Sequence, residues 1–164
     1  MKCAACNREM KSARGSGLGP ICEKKATRPS VVKTPTLRVV ARQTVVHHVK
    51  SEKLSCVDSN EYKFCPSENC PVVYYSTAGR VFTVEDVREL VRTKASGDSR
   101  PLCYCFGLTE GFISQEIEQS GKSTVPAQVT QFIKEKLCVC EIRSPSGACC
   151  LGEINRTVKT LSAR

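Results

Sequence analysis

Twelve of the 164 residues are cysteine and only two are histidine. The cysteines stand at positions 3, 6, 22, 56, 65, 70, 103, 105, 138, 140, 149 and 150. Closely spaced thiols are what soft metal ions and iron–sulfur clusters require, because a thiolate is an anionic, polarisable donor and two from one turn can reach the same centre. Cys3-Ala4-Ala5-Cys6 is one such pair, and Cys65-Pro66-Ser67-Glu68-Asn69-Cys70 is a wider one set in a turn. Together these two knuckles can close a tetrahedral zinc site, with Cys22 and Cys56 as competitors for places in it. In the C-terminal half, Cys103-Tyr104-Cys105 and Cys138-Val139-Cys140 bracket a stretch of helical pattern. Cys149-Cys150 then follow a Ser144-Pro145-Ser146-Gly147 turn. A two-iron cluster takes four thiolates, two per iron. Cys103 and Cys105 can serve one iron and a pair from the later four the other. A four-cysteine zinc site on the same residues is the competing reading.

The elements that must position these thiols differ between the two halves. Residues 7–30 carry Gly15, Gly17, Gly19, Pro20 and Pro29 among Lys and Arg, which is loop composition and reads as an inserted loop. Val31 to Val49 is rich in Val and Thr and is expected as strand, which would send His47 and His48 to opposite faces. Tyr62–Phe64 and Val72–Tyr75 read as short strands flanking Cys65 and Cys70, with Gly79 turning the chain into Val81. Thr83 is a candidate cap for a short helix through Glu85 and Asp86. Further on, Thr109 and Gly121 bracket a helix with Ile113 and Ile117 on one face. A second helix starts near Thr124, with Pro126 in its first turn and Val129, Phe132, Ile133 and Leu137 as its apolar stripe. These stripes read as plain core. The expected organisation is a zinc-binding β-rich domain over 1–100, a helical cluster-binding domain over 101–153, and a loose basic tail over 154–164.

Composition supports inorganic cross-linking. There is no Trp, and aromatic residues make up 5% of the chain, a thin supply of large core side chains. No apolar stretch of signal-peptide length stands near the N-terminus, and no run reaches membrane-spanning length. The expectation is therefore a cytoplasmic protein that does not insert into a membrane, whose thiols bind metal rather than form a disulfide scaffold. The formal net charge is +9. Two four-thiolate sites of about −2 each would lower it to about +5, so charge alone gives little reason to expect a nucleic-acid partner.

The segments PLCYCFGLTEGFI and CVCEIRSPSGACCLG, with EYKFCPSENCPVVYYS before them, resemble the N-terminal domain of the CopZ copper chaperones, over roughly residues 44–152. That resemblance implies an α+β fold, a small β-rich zinc-binding sub-domain followed by a helix-turn-helix [2Fe-2S] domain similar to bacterioferritin-associated ferredoxin. It implies cluster ligands at Cys103, Cys105, Cys140 and Cys150, with Cys138 and Cys149 as their neighbours. The zinc ligands expected beside it are Cys3, Cys6, Cys65 and Cys70, although the family has its CxxC closer to the second knuckle. Met1-Lys2-Cys3-Ala4-Ala5-Cys6 also fits a copper(I) motif, which makes Cu+ a third candidate ligand.

No catalytic constellation stands out: there is no phosphate-binding Gly-rich loop and no nucleophile elbow. The expected function is electron transfer or copper homeostasis with a protein redox or copper-handling partner, so that any enzymatic activity would be metal reduction. The alternative is a non-redox zinc-binding adaptor or regulator that uses its basic loops on a protein or nucleic acid. The oligomeric state is left open by the sequence.

Overall fold

A computed structural model describes residues 38–163. The first half is a four-stranded antiparallel sheet in the order β1-β2-β3-β4, made of β1 (Arg38–Val40), β2 (Tyr62–Phe64), β3 (Val72–Ser76) and β4 (Val81–Thr83). Register pairs Val39 with Lys63, Lys63 with Tyr75, and Tyr74 with Phe82. Gly79 makes the β3–β4 turn at φ +88°, a conformation that glycine adopts without steric cost. A register shift between Val72 and Tyr74 lets Val73 and Tyr74 both join the core on one side of the sheet. Val72 and Tyr75 pack with Cys65 and Cys70 in a separate cluster.

The Val- and Thr-rich stretch expected as strand is strand only at β1. It continues as helix α1 (Arg42–His48). Thr44, Val45 and His48 are its buried face, and Val49 follows them into the core. Burial of one helical face outweighs the modest β preference of Val and Thr. His47 and His48 therefore lie on one helix, with ring centroids 5.0 Å apart. A 3-10 helix (Ser51–Cys56) leads on to β2. Thr83 begins a turn rather than a helix: the Asp86 carboxylate accepts from its amide and its hydroxyl, both at 2.9 Å.

The second half is a two-stranded ribbon with helices behind it. Strands β5 (Pro101–Cys103) and β6 (Leu108–Thr109) pair antiparallel. Helices α2 (Glu110–Ser120) and α3 (Val125–Lys134) lie where the sequence puts them. The Thr109 hydroxyl accepts from the Phe112 amide at 3.3 Å, and Gly121 closes α2 at φ +74°. A short helix α4 (Cys140–Arg143) follows. The segment expected as a loose basic tail, 154–164, is helical for most of its length, in α5 (Leu151–Leu161). Ile154 on α5 is fully buried against Leu102, Ile113, Val125 and Val129, with Val158 and Leu161 packing beside it. Apolar residues four and three apart give α5 one core-facing stripe, while its basic residues cover the outside.

Candidate metal centre

The six cysteines of the C-terminal half come from three segments. Cys103 ends β5 and Cys105 sits in the turn after it. Cys140 opens α4, and Cys150 caps the start of α5. Cys103 and Cys150 are buried, and Cys105 and Cys140 are half-buried. Two sulfur contacts run between segments. Cys105 Sγ lies 4.0 Å from Cys140 Sγ, and the thiols of Cys103 and Cys150 hydrogen-bond each other. A third contact lies within one segment, where the Cys138 and Cys140 thiols hydrogen-bond each other. Among the described residues, no group of three or more His, Cys, Asp or Glu is arranged to hold one metal ion.

The local field favours anionic sulfur at one position. The hydrogen bond from Cys150 is the main reason that the Cys103 thiol is held below its ordinary range, aided by the amides of Phe106 and Cys105 and by Arg92. Its partner Cys150 is pushed up in exchange, because it donates that bond and is buried. Burial and the nearby Cys105 push Cys140 up, opposed by the Cys150 amide, which donates to its sulfur. Burial is also the first cause of the raised Cys138. Amide-to-sulfur bonds of this kind stabilise a thiolate-bound centre as they do other anions.

The shell around these thiols contains residues that cysteine counting misses. Tyr104 is buried between two candidate ligands. Its hydroxyl accepts from the Arg92 amide at 2.7 Å and donates to the Leu90 carbonyl at 3.1 Å. Arg143 donates to the Tyr104 carbonyl at 2.8 Å and to His47 Nε2 at 3.1 Å. Tyr104 lies inside the motif itself, between Cys103 and Cys105, so its position could have drawn attention to it. Arg143 carries no such signal.

In the first half, Cys65 and Cys70 are both buried, at the end of β2 and just before β3. The Cys65 amide donates to the Val73 carbonyl at 2.9 Å, and the Cys70 amide to the Ser67 carbonyl at 3.3 Å. The turn is held further by Lys94, whose ammonium donates to the Ser67 carbonyl. Two buried thiols on one tight turn fit half of a zinc site. Cys3, Cys6 and Cys22, with the loop expected over 7–30, lie outside the described residues. Cys56 packs in the other core cluster and is disulfide-bonded.

Fold and thiols together define a cysteine-rich metal-binding protein of mixed helix and sheet. A family model described as a zinc binding domain, zf_CopZ, matches residues 20–88. This range contains Cys22, Cys56, Cys65 and Cys70 but not Cys3 or Cys6. The chain is 34% identical over 113 residues to the copper chaperone CopZ of Archaeoglobus fulgidus, covering 69% of this chain and 53% of that protein. It is similar to the X-ray structure of the Archaeoglobus fulgidus CopZ N-terminal domain, with a TM-score of 0.61 and 31% identity, covering 74% of this chain and 91% of that one. The chain belongs to the CopZ family. It spans about half the length of the full CopZ protein that it matches.

Proposed function

We propose that this chain is a redox-active metal-handling protein of copper homeostasis, in which Cys103, Cys105, Cys140 and Cys150 hold a [2Fe-2S] cluster. The observation that carries the reading is the meeting of these four thiols from three segments as two close pairs. A single zinc ion needs all four sulfurs at about 3.8 Å from one another. Thiols that meet across segments at Cys103/Cys150 and at Cys105/Cys140 can supply the two ligands that each iron of such a cluster takes. When bound, such a cluster would supply one-electron chemistry, of use in reducing copper(II) or passing an electron to a protein partner. The chain's own contribution is the amide and Arg92 field around Cys103 and the burial of Cys103 and Cys150 from water.

The zinc site is proposed on Cys65 and Cys70, completed by Cys3 and Cys6. The span of the zinc-domain match gives a specific reason to test Cys22 in place of that N-terminal pair. Copper delivery to a protein partner is proposed from kinship with a copper chaperone, for a chain that covers about half of it.

Anaerobic purification with elemental analysis tests this directly. The expected result is about two irons and one zinc per chain, with visible absorption that bleaches on reduction. Cys105→Ser is expected to lose iron and keep zinc. Cys70→Ser is expected to lose zinc and to lower stability, because metal-binding energy is folding energy in so small a domain. Zinc alone after anaerobic reconstitution with iron and sulfide would leave the adaptor reading in its place.

A further inference from the structure

Cys103 and Cys150 meet from two elements, one at the end of β5 and the other at the start of α5. Among the described residues, no backbone hydrogen bond joins α5 to the 97–103 segment. Helix α2, by contrast, is bonded to that segment directly. The Glu110 amide donates to the Arg100 carbonyl at 2.9 Å, and the Gly111 amide to the Asp98 carbonyl at 3.0 Å. The approach is so close that a Cβ on Gly111 would lie 2.7 Å from the Asp98 Cβ. Beyond the shared apolar core, the tie to α5 is a side chain. Arg100, one residue before β5, donates from Nη2 to Glu153 Oε1 at 2.8 Å and from Nη1 to Glu110 Oε2 at 3.0 Å. Its Nε donates to the Arg92 carbonyl at 3.3 Å. Glu153 stands one turn past Cys150, and its amide donates to the Cys150 carbonyl at 3.0 Å. The three side chains are sheltered, with Arg100 and Glu110 23% exposed and Glu153 19%.

We infer that Arg100 is a positioning residue of the proposed cluster: by holding Glu153 it fixes the start of α5 and so sets the Cys103–Cys150 pair. The inference rests on the reading that these two thiols are cluster ligands. A guanidinium is a planar fork that stays charged, so it holds two carboxylates at fixed angles, which a flexible ammonium does not. Groups that orient a ligand from outside the metal's own shell govern how tightly the metal is held. The two arms of the fork act differently. The arm to Glu110 repeats a connection that backbone bonds already make. The arm to Glu153 has no such duplicate, and it ends on the helix that begins at a thiol. The two glutamates are otherwise matched, since each lies in the first turn of an 11-residue helix, where its charge suits the helix dipole. The further pair of Glu153 with Arg156 contributes little, because the Arg156 side chain is 77% exposed. Each glutamate is therefore a control for the other.

The test compares the full chain of wild type with Glu153→Ala, Glu110→Ala and Glu153→Gln, each loaded anaerobically with iron, sulfide and zinc. Iron loss to excess chelator is timed, the electron paramagnetic resonance spectrum of the reduced protein is recorded, and thermal midpoints are taken alongside. Both alanine variants are expected to lower the midpoint alike. Glu153→Ala alone is expected to shed iron about tenfold faster than wild type and to shift the spectrum. Glu153→Gln, whose amide oxygen accepts the same bond, is expected to recover most of the lost lifetime. Iron loss that is equal in Glu110→Ala and Glu153→Ala overturns the inference and makes Arg100 an ordinary cross-link of the fold, with the cluster reading intact. Glu153→Gln shedding iron as fast as Glu153→Ala also overturns it, because the effect then follows charge rather than the bond. Wild type that takes up no iron overturns the cluster reading, and the inference falls with it.

Discussion

At the level of single residues, two kinds of burial have opposite consequences. Buried thiols on tight turns can serve as metal ligands, whereas the buried imidazole of His48 is kept neutral. It is 2% exposed, packed near Tyr74 and Tyr104. Burial is the main reason that its pKa falls from 6.5 to about 4, with the positive charge of Arg143 and the neighbouring His47 adding to it. Backbone carbonyls of Ile142 and Arg143 oppose the shift. In the unfolded chain this ring takes a proton near pH 6.5, so between pH 6.5 and 4 the unfolded state binds more protons than the folded one. Stability from His48 is therefore complete above pH 6.5, falls as pH drops, and is lost by about pH 4. The full effect is up to about 3 kcal/mol, at 1.36 kcal/mol per pK unit. Metal ligands also protonate in acid, so the measurement is a comparison. Urea midpoints of wild type and His48→Gln, taken from pH 7 to pH 4, should show a steeper fall in wild type. Parallel curves would remove His48 as the cause.

At the level of elements, the legible parts were those with local signals. Helices α2 and α3 announce themselves through Thr109, Gly121, Thr124 and Pro126, and their caps work through bonds between near neighbours. Strands β2 and β3 are short runs of aromatic and β-branched residues around a thiol turn. Helix α1 was missed because Val and Thr dominate it, although Thr44, Val45 and His48 already carry the helical spacing. Helix α5 was missed for the opposite reason: charge obscured a stripe of Ile154, Val158 and Leu161. The closely spaced thiols were visible in the sequence as motifs, but not the contacts of Cys105 with Cys140 and of Cys103 with Cys150, which depend on how β5, α4 and α5 meet in space. Since Ile154 is fully buried, Ile154→Ala should cost 2–5 kcal/mol, roughly, and release α5 from α2 and α3. A loose tail would lose nothing, so thermal unfolding separates the two descriptions. A smaller adjustment lies at the end of α3. Lys136 there adopts φ +57°, the left-handed position where the Leu137 amide donates to the Phe132 carbonyl at 3.0 Å. This is a helix stop that glycine normally fills. Lys136→Gly should raise stability by about 1 kcal/mol, visible as a higher unfolding midpoint.

At the level of the whole molecule, the question is how the zinc half and the thiol-rich helical half act on each other. Their joint is made by α1 against α4. The Thr44 hydroxyl donates to the Glu141 carbonyl at 2.6 Å, just after Cys140. Arg143 bonds the Tyr104 carbonyl between Cys103 and Cys105, bonds His47 on α1, and pairs with Glu89 at 3.7 Å. One side chain therefore ties the first thiol segment, the second thiol segment and the β-rich half together. The ion pair with Glu89 is partly exposed and contributes little. The two shorter bonds, both from a charged donor, contribute more, and Arg143→Ala should cost about 2 kcal/mol in total. The more telling consequence is loss of coupling. In wild type, stripping zinc should weaken the helical half as well, because the α1 surface that it packs on loosens with the sheet. In Arg143→Ala, zinc removal should lower the unfolding temperature of the first half and leave the second nearly unchanged. Calorimetry on zinc-loaded and zinc-stripped protein would show one transition splitting into two. A single transition that responds to zinc equally in both proteins would mean that the halves communicate through the wider packing of α1 and α4, and that Arg143 serves only to hold the thiol segments in place.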